Sequence, residues 1–220
     1  VHAVGSLREG HLLLAGETHS SKLLAAQFDG SNPGRSGGVP ETLLREQPAE
    51  GGGEAKAEPG AGALSHGDAI VVCLQANTLV DVQANQGSFS GYRLSGSRQV
   101  SALTLAALGQ EVWVGGTTNS RDLRVQAPEG QEPLQAAMQG ASDGYIAKLA
   151  VGDGCRLGPM LLSTYLGGSG QDSVDALVPG NDGGLWVLGT TTSKDLLVTN
   201  TSKQARHGGG LRDLFVGRII

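Results

Sequence analysis

Aromatic residues, charged residues and long apolar runs are all scarce in this sequence. Its 220 residues include only three Phe, three Tyr and two Trp, and 17% of them are charged. No window reaches the roughly 18 consecutive apolar residues that a membrane-spanning helix needs. The net charge is −5 and the sequence contains no cluster of basic residues, which argues against nucleic acid as a partner. The sequence therefore predicts that the chain has no membrane-spanning helix and does not bind nucleic acid.

Cysteine is scarce as well, since only Cys73 and Cys155 are present. They lie far apart, without the C-x-x-C spacing of zinc or redox sites. Small secreted proteins that depend on disulfides carry a denser set of cysteines than this. The count therefore favours two free thiols and leaves a disulfide open. The chain begins at Val1 with neither Met nor a visible signal peptide, so we expect that its N-terminus is incomplete.

Glycine is the residue in excess, with 36 copies. A chain rich in Gly, Val, Leu and Ala but poor in Lys and Glu is typical of many short strands joined by tight turns. The composition therefore predicts an all-β fold.

Three phrases recur in a fixed order three times along the chain. The first is VHAV (1–4), VSAL (100–103) and VDAL (174–177); the second is LLLAGETHS (12–20), VWVGGTTNS (112–120) and LWVLGTTTS (185–193); the third is DAIVVCL (68–74), DGYIAKL (143–149) and DLFVGRI (213–219). A fourth phrase, GYRLSGS (91–97) or STYLGGSG (163–170), stands between the copies. Repetition in a fixed order marks an internal repeat, each full unit being four short strands.

The second phrase carries most of the architectural information. Its strands are continuous apolar runs, which is typical of strands covered on both faces. The glycines that end them, Gly16, Gly116 and Gly189, stand where a side chain would crowd a neighbouring backbone or where a positive φ is needed. Repeated four-stranded antiparallel sheets, covered on both faces, predict β-propeller blades. A β-solenoid or a row of sandwiches is the alternative, although the repeat is long for a solenoid coil.

The repeat divides the chain into three units. We assign 1–89 to the first blade, 90–160 to the second, and 161–220 to a third blade that lacks its last strand. Residues 31–66 enlarge the first unit and hold four of the eight prolines. A segment with so few large apolar residues buries too little surface to offset its ordering entropy, so we predict a disordered Gly/Pro/Glu-rich insertion.

The stretch STYLGGSGQDSVDAL, followed by GGLWVLGTTTSKDLLV and RDLFVGRI, resembles the bacterial SBBP repeat of the seven-bladed β-propeller type. The third unit is similar to that repeat along its whole length, the second less so, and the first is degenerate. The resemblance implies a propeller within a large secreted or cell-surface protein. It implies no catalytic residues, because the shared motif is structural.

Three blades do not close a ring, since closed propellers have about four to eight blades. We expect the missing blades to come from the remainder of a longer polypeptide, from a protein partner, or from a second copy of this chain as a homo-oligomer. The missing fourth strand of the third blade leaves an edge beside DLFVGRI, and an edge of this kind accepts a further strand.

Nucleophile-elbow, zinc-protease, phosphate-loop and EF-hand motifs do not occur in the sequence. We predict no catalytic, cofactor-binding or metal-binding residue, and no cofactor. The repeated phrases explain the most conspicuous polar and aromatic residues. The aspartates that open the third phrase are interpreted as caps of strand-entry turns: Asp68, Asp143 and Asp213. The tryptophans of the second phrase, Trp113 and Trp186, are interpreted as core residues between blades. The histidines are interpreted as isolated surface residues: His2, His11, His19, His66 and His207.

Cys73 aligns with Lys148 and Arg218 within the third phrase. Two of the three residues at this position are cationic, and cations are seldom buried. We therefore expect the Cys73 side chain to occupy a polar, less buried place.

The favoured function is a non-enzymatic scaffold or protein-interaction module outside the cell. Two alternatives stay open. A propeller enzyme, either a lyase or a hydrolase, would need polar side chains on a central channel, and the first phrase offers His2, Ser101 and Asp175. A calcium- or carbohydrate-dependent adhesin would bind its metal through Asp172, Asp175 and Asp182.

Overall fold

The computed structural model describes residues 1–7, 10–19, 44–45, 66–74, 89–199 and 202–220. These ranges form twelve strands and one short 3-10 turn, at Asp153–Cys155. None of their helical segments is long and apolar enough to cross a membrane. The strands are β1 (Ala3–Ser6), β2 (Leu12–Thr18), β3 (Leu44–Arg45), β4 (Asp68–Leu74), β5 (Phe89–Leu94), β6 (Val100–Leu108), β7 (Glu111–Thr118), β8 (Asp143–Gly152), β9 (Arg156–Leu166), β10 (Asp172–Pro179), β11 (Leu185–Thr191) and β12 (Asp213–Ile219).

The strands are arranged in three sheets that follow the order of the chain. The first sheet has the order β1-β2-β4-β5, with the two-residue β3 beside β5; the second is β6-β7-β8-β9 and the third is β10-β11-β12. Every neighbouring pair is antiparallel except β3 with β5. The predicted all-β class, with repeated antiparallel sheets, is confirmed.

The fourth strand of each full sheet crosses a boundary predicted from the sequence. β5 pairs with β4, and β9 pairs with β8, so residues 90–94 and 161–166 belong to the sheet before the predicted division. Of the insertion at 31–66, the structure describes only Leu44–Arg45 and His66. The rest of the predicted disordered segment lies outside the described residues.

Successive sheets pack face to face. The first strand of each later sheet lies on the first two strands of the sheet before it: β6 packs on β1 and β2, and β10 packs on β6 and β7. The face of the first sheet that meets the second carries Leu13, Ala15, Ala69, Val71 and Cys73, and the face of the second sheet that meets the third carries Ala106, Trp113 and Ile146.

The second and third sheets fit together around a valine side chain. A Cβ on Gly115 would lie 2.5 Å from Cγ1 of Val174, and a Cβ on Gly144 would lie 3.1 Å from its Cγ2. Val174 thus occupies a recess that exists only because both positions lack a side chain. Ala106, in the same apolar cluster as Leu177, is a third small residue on this face.

The junction between the first and second sheets has the same plan with different sizes. Strand register places Ala102 where the later junction has Val174, and places Ala15 and Ala69 where it has glycines. All three alanines are buried in one cluster. Gly5 adds another recess, since a Cβ there would lie 2.5 Å from Cδ1 of Leu105. At this junction the projecting side chain is smaller than Val174, and the residues around its recess are larger than the glycines of the later junction.

Exchanging the sizes at one junction tests this fit. We expect Gly115→Ala to lower the free energy of unfolding by about 1–3 kcal/mol, because the new methyl group collides with Val174. The Gly115→Ala/Val174→Ala double variant should lose at least about 1 kcal/mol less than the sum of the two single variants, since the collision is relieved. Urea unfolding of the four proteins measures this coupling. Additive losses would contradict the recess.

The Thr-x-Ser phrase of the second sheet, together with the aspartate that follows it, accepts hydrogen bonds from the segment that leads into β6. Oδ1 of Asp122 accepts hydrogen bonds from N and Oγ of Ser97, at 2.8 and 3.0 Å. Oγ of Ser120 accepts a further bond from the Arg98 amide, at 2.7 Å. These acceptors hold the link between the first and second sheets.

The third sheet repeats the arrangement. Oδ1 of Asp195 accepts hydrogen bonds from N and Oγ of Ser169, at 2.9 and 3.0 Å, and Oγ of Ser193 accepts one from the Gly170 amide. The two bonds from Ser169 hold the pKa of Asp195 below its usual range. The second and third copies of the phrase therefore supply equivalent acceptors at the two links between sheets.

Tyr165 ties the last strand of the second sheet to the turn that follows β7. Its buried hydroxyl donates to the Ser120 carbonyl, at 2.8 Å, and accepts from the Leu123 amide, at 2.9 Å. We expect Tyr165→Phe to cost about 1–3 kcal/mol, because both backbone groups lose their partner.

The pH dependence of Tyr165 gives a second measurement. Burial raises its pKa to about 12, above the unfolded value of about 10. The folded state therefore retains a proton that the unfolded state releases, so this contribution to stability is complete below pH ~10 and is lost as the pH rises towards 12. Urea unfolding of the wild type across this range should show the loss, and Tyr165→Phe should show less of it. Equal slopes would contradict the assignment.

Candidate functional site

The outer face of the third sheet exposes several large apolar side chains. Alternation along the strands turns one set of side chains towards the second sheet, including Leu185, Val187 and Phe215. The other set points away from it. We define the outer face by these outward residues: Val178, Trp186, Leu188, Leu214, Val216 and Arg218.

The equivalent face of the second sheet is covered. Trp113 is 5% exposed and Ile146 is 1% exposed, because the third sheet packs on them, whereas Trp186 is 41% exposed and Val216 is 65% exposed. The prediction that both tryptophans are core residues therefore holds for Trp113 and is wrong for Trp186. The two differ because only Trp113 has a neighbouring sheet in the described chain.

A cation lies over each of these tryptophans. Nζ of Lys148 is 4.8 Å from the centroid of Trp113, and the guanidinium of Arg218 is 5.2 Å from that of Trp186. Lys148 also pairs with Glu111 at 3.1 Å, and Arg218 pairs with Asp182. In the second sheet this set of tryptophan, cation and carboxylate lies under the third sheet. Packing between sheets therefore explains the set without a ligand.

A surface depression of about 350 Å³ adjoins Trp186. Its walls are Gly180, Asn181, Asp182 and Arg218. An exposed indole beside amide, carboxylate and guanidinium groups is able to stack on and hydrogen-bond a small polar ligand such as a sugar. The carbohydrate alternative would therefore place its ligand here.

The outer edge of the third sheet is the second surface available for contact. In the first two sheets, β5 and β9 pair with the strands equivalent to β12. No described strand pairs with the equivalent edge of β12. Its N–H and C=O groups are therefore free to pair with an added strand.

The residues proposed for an enzyme do not form a constellation. Oγ of Ser101 donates to the Glu17 carboxylate, and Oδ1 of Asp175 accepts from Oγ of Ser173 at 2.8 Å. His2 is exposed. Within the described ranges no hydrogen bond or ion pair joins His2, Ser101 and Asp175.

Glu17 nevertheless gathers a polar cluster between the first two sheets. Besides Ser101, it accepts hydrogen bonds from Gln99 Nε2 at 3.1 Å and lies 3.2 Å from Nε2 of His19. Burial, and next to it the Glu17 charge, raise the pKa of Tyr145, whose hydroxyl has no partner in the described structure. Ser101 is buried and donates its hydroxyl to the Glu17 carboxylate, and within the described residues no histidine hydrogen-bonds to it.

The aspartates proposed for calcium make separate contacts. Asp172 is buried and accepts from Oγ of Ser193 at 2.8 Å, while Asp182 pairs with Arg218 and Asp175 belongs to a serine contact. Oδ1 of Asp172 has no hydrogen-bond partner in the described structure, but one oxygen is far from the six to eight that calcium takes. Among described residues, no three His, Cys, Asp or Glu side chains are grouped to hold a metal.

The repeated aspartates lie at the start of β4, β8 and β12. Oδ1 of Asp143 accepts from the Gly140 amide at 2.9 Å, and Asp213 likewise accepts from the amide five residues before it. Asp68 lies 3.6 Å from Nε of Arg93. Two of the three therefore cap the turn that precedes their strand.

The histidines are dispersed over different contacts. His19 meets Glu17, and Nδ1 of His207 lies 3.2 Å from Asp213 with most of its side chain buried. His2 and His66 are exposed. His207 therefore differs from the predicted surface residue, because it packs beside the aspartate that opens β12.

Cys73 and Cys155 form a disulfide between the first two sheets. Their Cα atoms are 5.7 Å apart, and the side chains are 0% and 2% exposed. The predicted polar, less buried setting of Cys73 is wrong, because Cys73 lies on the face of the first sheet that packs on the second sheet. The expectation of two free thiols is wrong as well. The position therefore carries a covalent link to Cys155 in place of a cation.

The chain matches no protein-family model, and no curated protein is significantly similar to it. The structural repeat and the outer face therefore carry the functional argument.

Proposed function

We propose that this chain is a structural and protein-interaction module, built of β-propeller blades of the SBBP type, whose third sheet is completed by contact with another polypeptide surface. The outer face carries this proposal. Its repeat equivalents on the first and second sheets are buried under a neighbouring sheet. A contiguous exposed apolar face of this kind marks an interaction surface.

The free edge of β12 supports the same conclusion. Edge strands left open are a risk for aggregation, and proteins protect them or use them for strand addition. In the first two sheets this place is filled by β5 and β9. A partner that covers the outer face lies beside this edge and is able to protect it.

The disulfide supports a location outside the cell, on the cell surface or in the medium. Disulfides persist in oxidising compartments and are rare where glutathione keeps thiols reduced. The Cys73–Cys155 bond is buried and joins two sheets. An exported scaffold is consistent with this bond.

Replacing the apolar face with polar residues tests the proposal. We expect the wild-type chain to associate or to bind an apolar fluorescent dye, and the Leu214→Ser/Val216→Ser variant to do neither. The free energy of unfolding of the variant should stay within about 0.5 kcal/mol of that of the wild type. Light scattering after size exclusion and dye titration give the two readouts. A wild type that is monomeric and as silent towards the dye as the variant would overturn the proposal.

A further inference from the structure

Three positions distinguish the outer face from the two covered faces. On the first sheet they hold small residues, and on the second sheet they do so again. On the third sheet each is a large aliphatic residue. In strand register the three sets are Gly5, Ala15 and Ala69; Ala106, Gly115 and Gly144; and Val178, Leu188 and Leu214.

The small residues are what let one sheet approach the next. The recess at Gly115 and Gly144 admits Val174, and Gly5 admits Leu105. With Leu188 and Leu214 at the recess positions, the space that receives a projecting side chain is filled. Overfilling a packed junction by this much is not tolerated without separating the sheets. The outer face therefore does not receive another sheet in the manner of the first two.

A polar anchor of the second junction is missing as well. The Leu177 amide donates to Oγ1 of Thr104 across the sheets, at 3.1 Å. The register places Ala176 in the position of Thr104 on the third sheet. Ala3 holds the same position on the first sheet, which packs on the second sheet without this bond. The filled recess and its projecting aliphatic groups, rather than the missing acceptor, therefore distinguish the outer face.

We propose that the outer face binds the outer face of a second copy of this chain about a two-fold axis. This rests on the proposed function, which makes the outer face an interaction surface, and it names the partner. Two apolar sheet faces with projecting side chains pack by interdigitation, as in β-sandwiches. Two-fold dimers pair the same patch from both subunits, so a face without a recess for a different sheet suits its own copy.

The charges on this face permit such pairing. Arg218 is the only cation among the residues that define the face, and it is paired with Asp182 of its own chain. Each copy therefore brings a neutral pair rather than an uncompensated charge, and like-charge repulsion across the axis is small.

Solution mass and matched variants test the pairing. We expect light scattering to give twice the chain mass of 22.4 kDa. Leu214→Glu should weaken self-association by at least about 30-fold, because a carboxylate enters the apolar centre of the contact. Leu134→Glu is the control, since Leu134 is also exposed but lies outside the third sheet, and it should leave the dimer intact.

A cysteine at Leu188 distinguishes the geometry. Two-fold pairing brings this position of both copies to one interface, so oxidised Leu188→Cys should give a covalent dimer, whereas Leu134→Cys should not. A wild type that is monomeric but binds the apolar dye would overturn the pairing while leaving the proposed interaction surface standing. A dimer that persists in Leu214→Glu would also overturn it, because a carboxylate at the centre of the contact has to weaken the proposed pairing.

Discussion

Removing the Cys73–Cys155 disulfide is expected to lower the free energy of unfolding by up to about 4.5 kcal/mol. The bond closes a loop across a sequence separation of 82 residues, and the chain-entropy estimate for a loop of that length gives this upper value. The loop runs through residues 75–88, β5 and most of the second sheet. Without the bond, the unfolded chain gains the freedom that the bond denies it.

The measurement compares urea unfolding of the wild type with Cys73→Ala/Cys155→Ala. Cys155 has a φ of 64°, a left-handed conformation that glycine adopts without cost. Cys73→Ala/Cys155→Gly should therefore be more stable than the double-alanine variant by about 1 kcal/mol. An unchanged urea midpoint in both variants would show that the bond does not constrain the unfolded chain. The hydrogen bond from the Leu157 amide to Oγ of Ser90, at 2.9 Å, remains between the same sheets.

This bond also marks a limit of sequence reasoning. Aligning the repeats places Cys73 with Lys148 and Arg218, and the strand register confirms that alignment. The alignment does not say which side chain lies across the junction. Cys155 belongs to the turn between β8 and β9, outside the repeated phrases, so no pattern within the repeat pairs it with Cys73.

The outer face was accessible to sequence reasoning in part. The repeat identified Trp113 and Trp186 as equivalent, and the order and pairing of their strands follow from the phrases. Burial, however, depends on the next sheet, and equivalence within one sheet carries no information about it. The substitution of Gly115 by Leu188 at equivalent positions was the available signal, because a change of size at a packed position changes what it can contact.

The key glycine of the repeat gives the second large effect. We expect Gly116→Ala to lower the free energy of unfolding by about 3 kcal/mol or more. A Cβ at this position would overlap the backbone carbonyl oxygen of Ser101 and lie 3.1 Å from Cε1 of Tyr145. A backbone carbonyl in a paired strand cannot rotate away as a side chain can, so the whole of β6 has to shift against β7. Gly189 meets the Ser173 carbonyl in the same way.

Gly217→Ala is the matched control for this prediction. Gly217 also lies within a strand, β12, but a Cβ there would have no atom within 4 Å. We expect this change to be neutral or to stabilise the protein by up to about 1 kcal/mol, because alanine restricts the unfolded chain more than glycine does. Urea unfolding of both variants separates collision from the general effect of removing a glycine. If Gly116→Ala lost no more stability than Gly217→Ala, the repeated glycine would owe its place to something other than the close approach of β6.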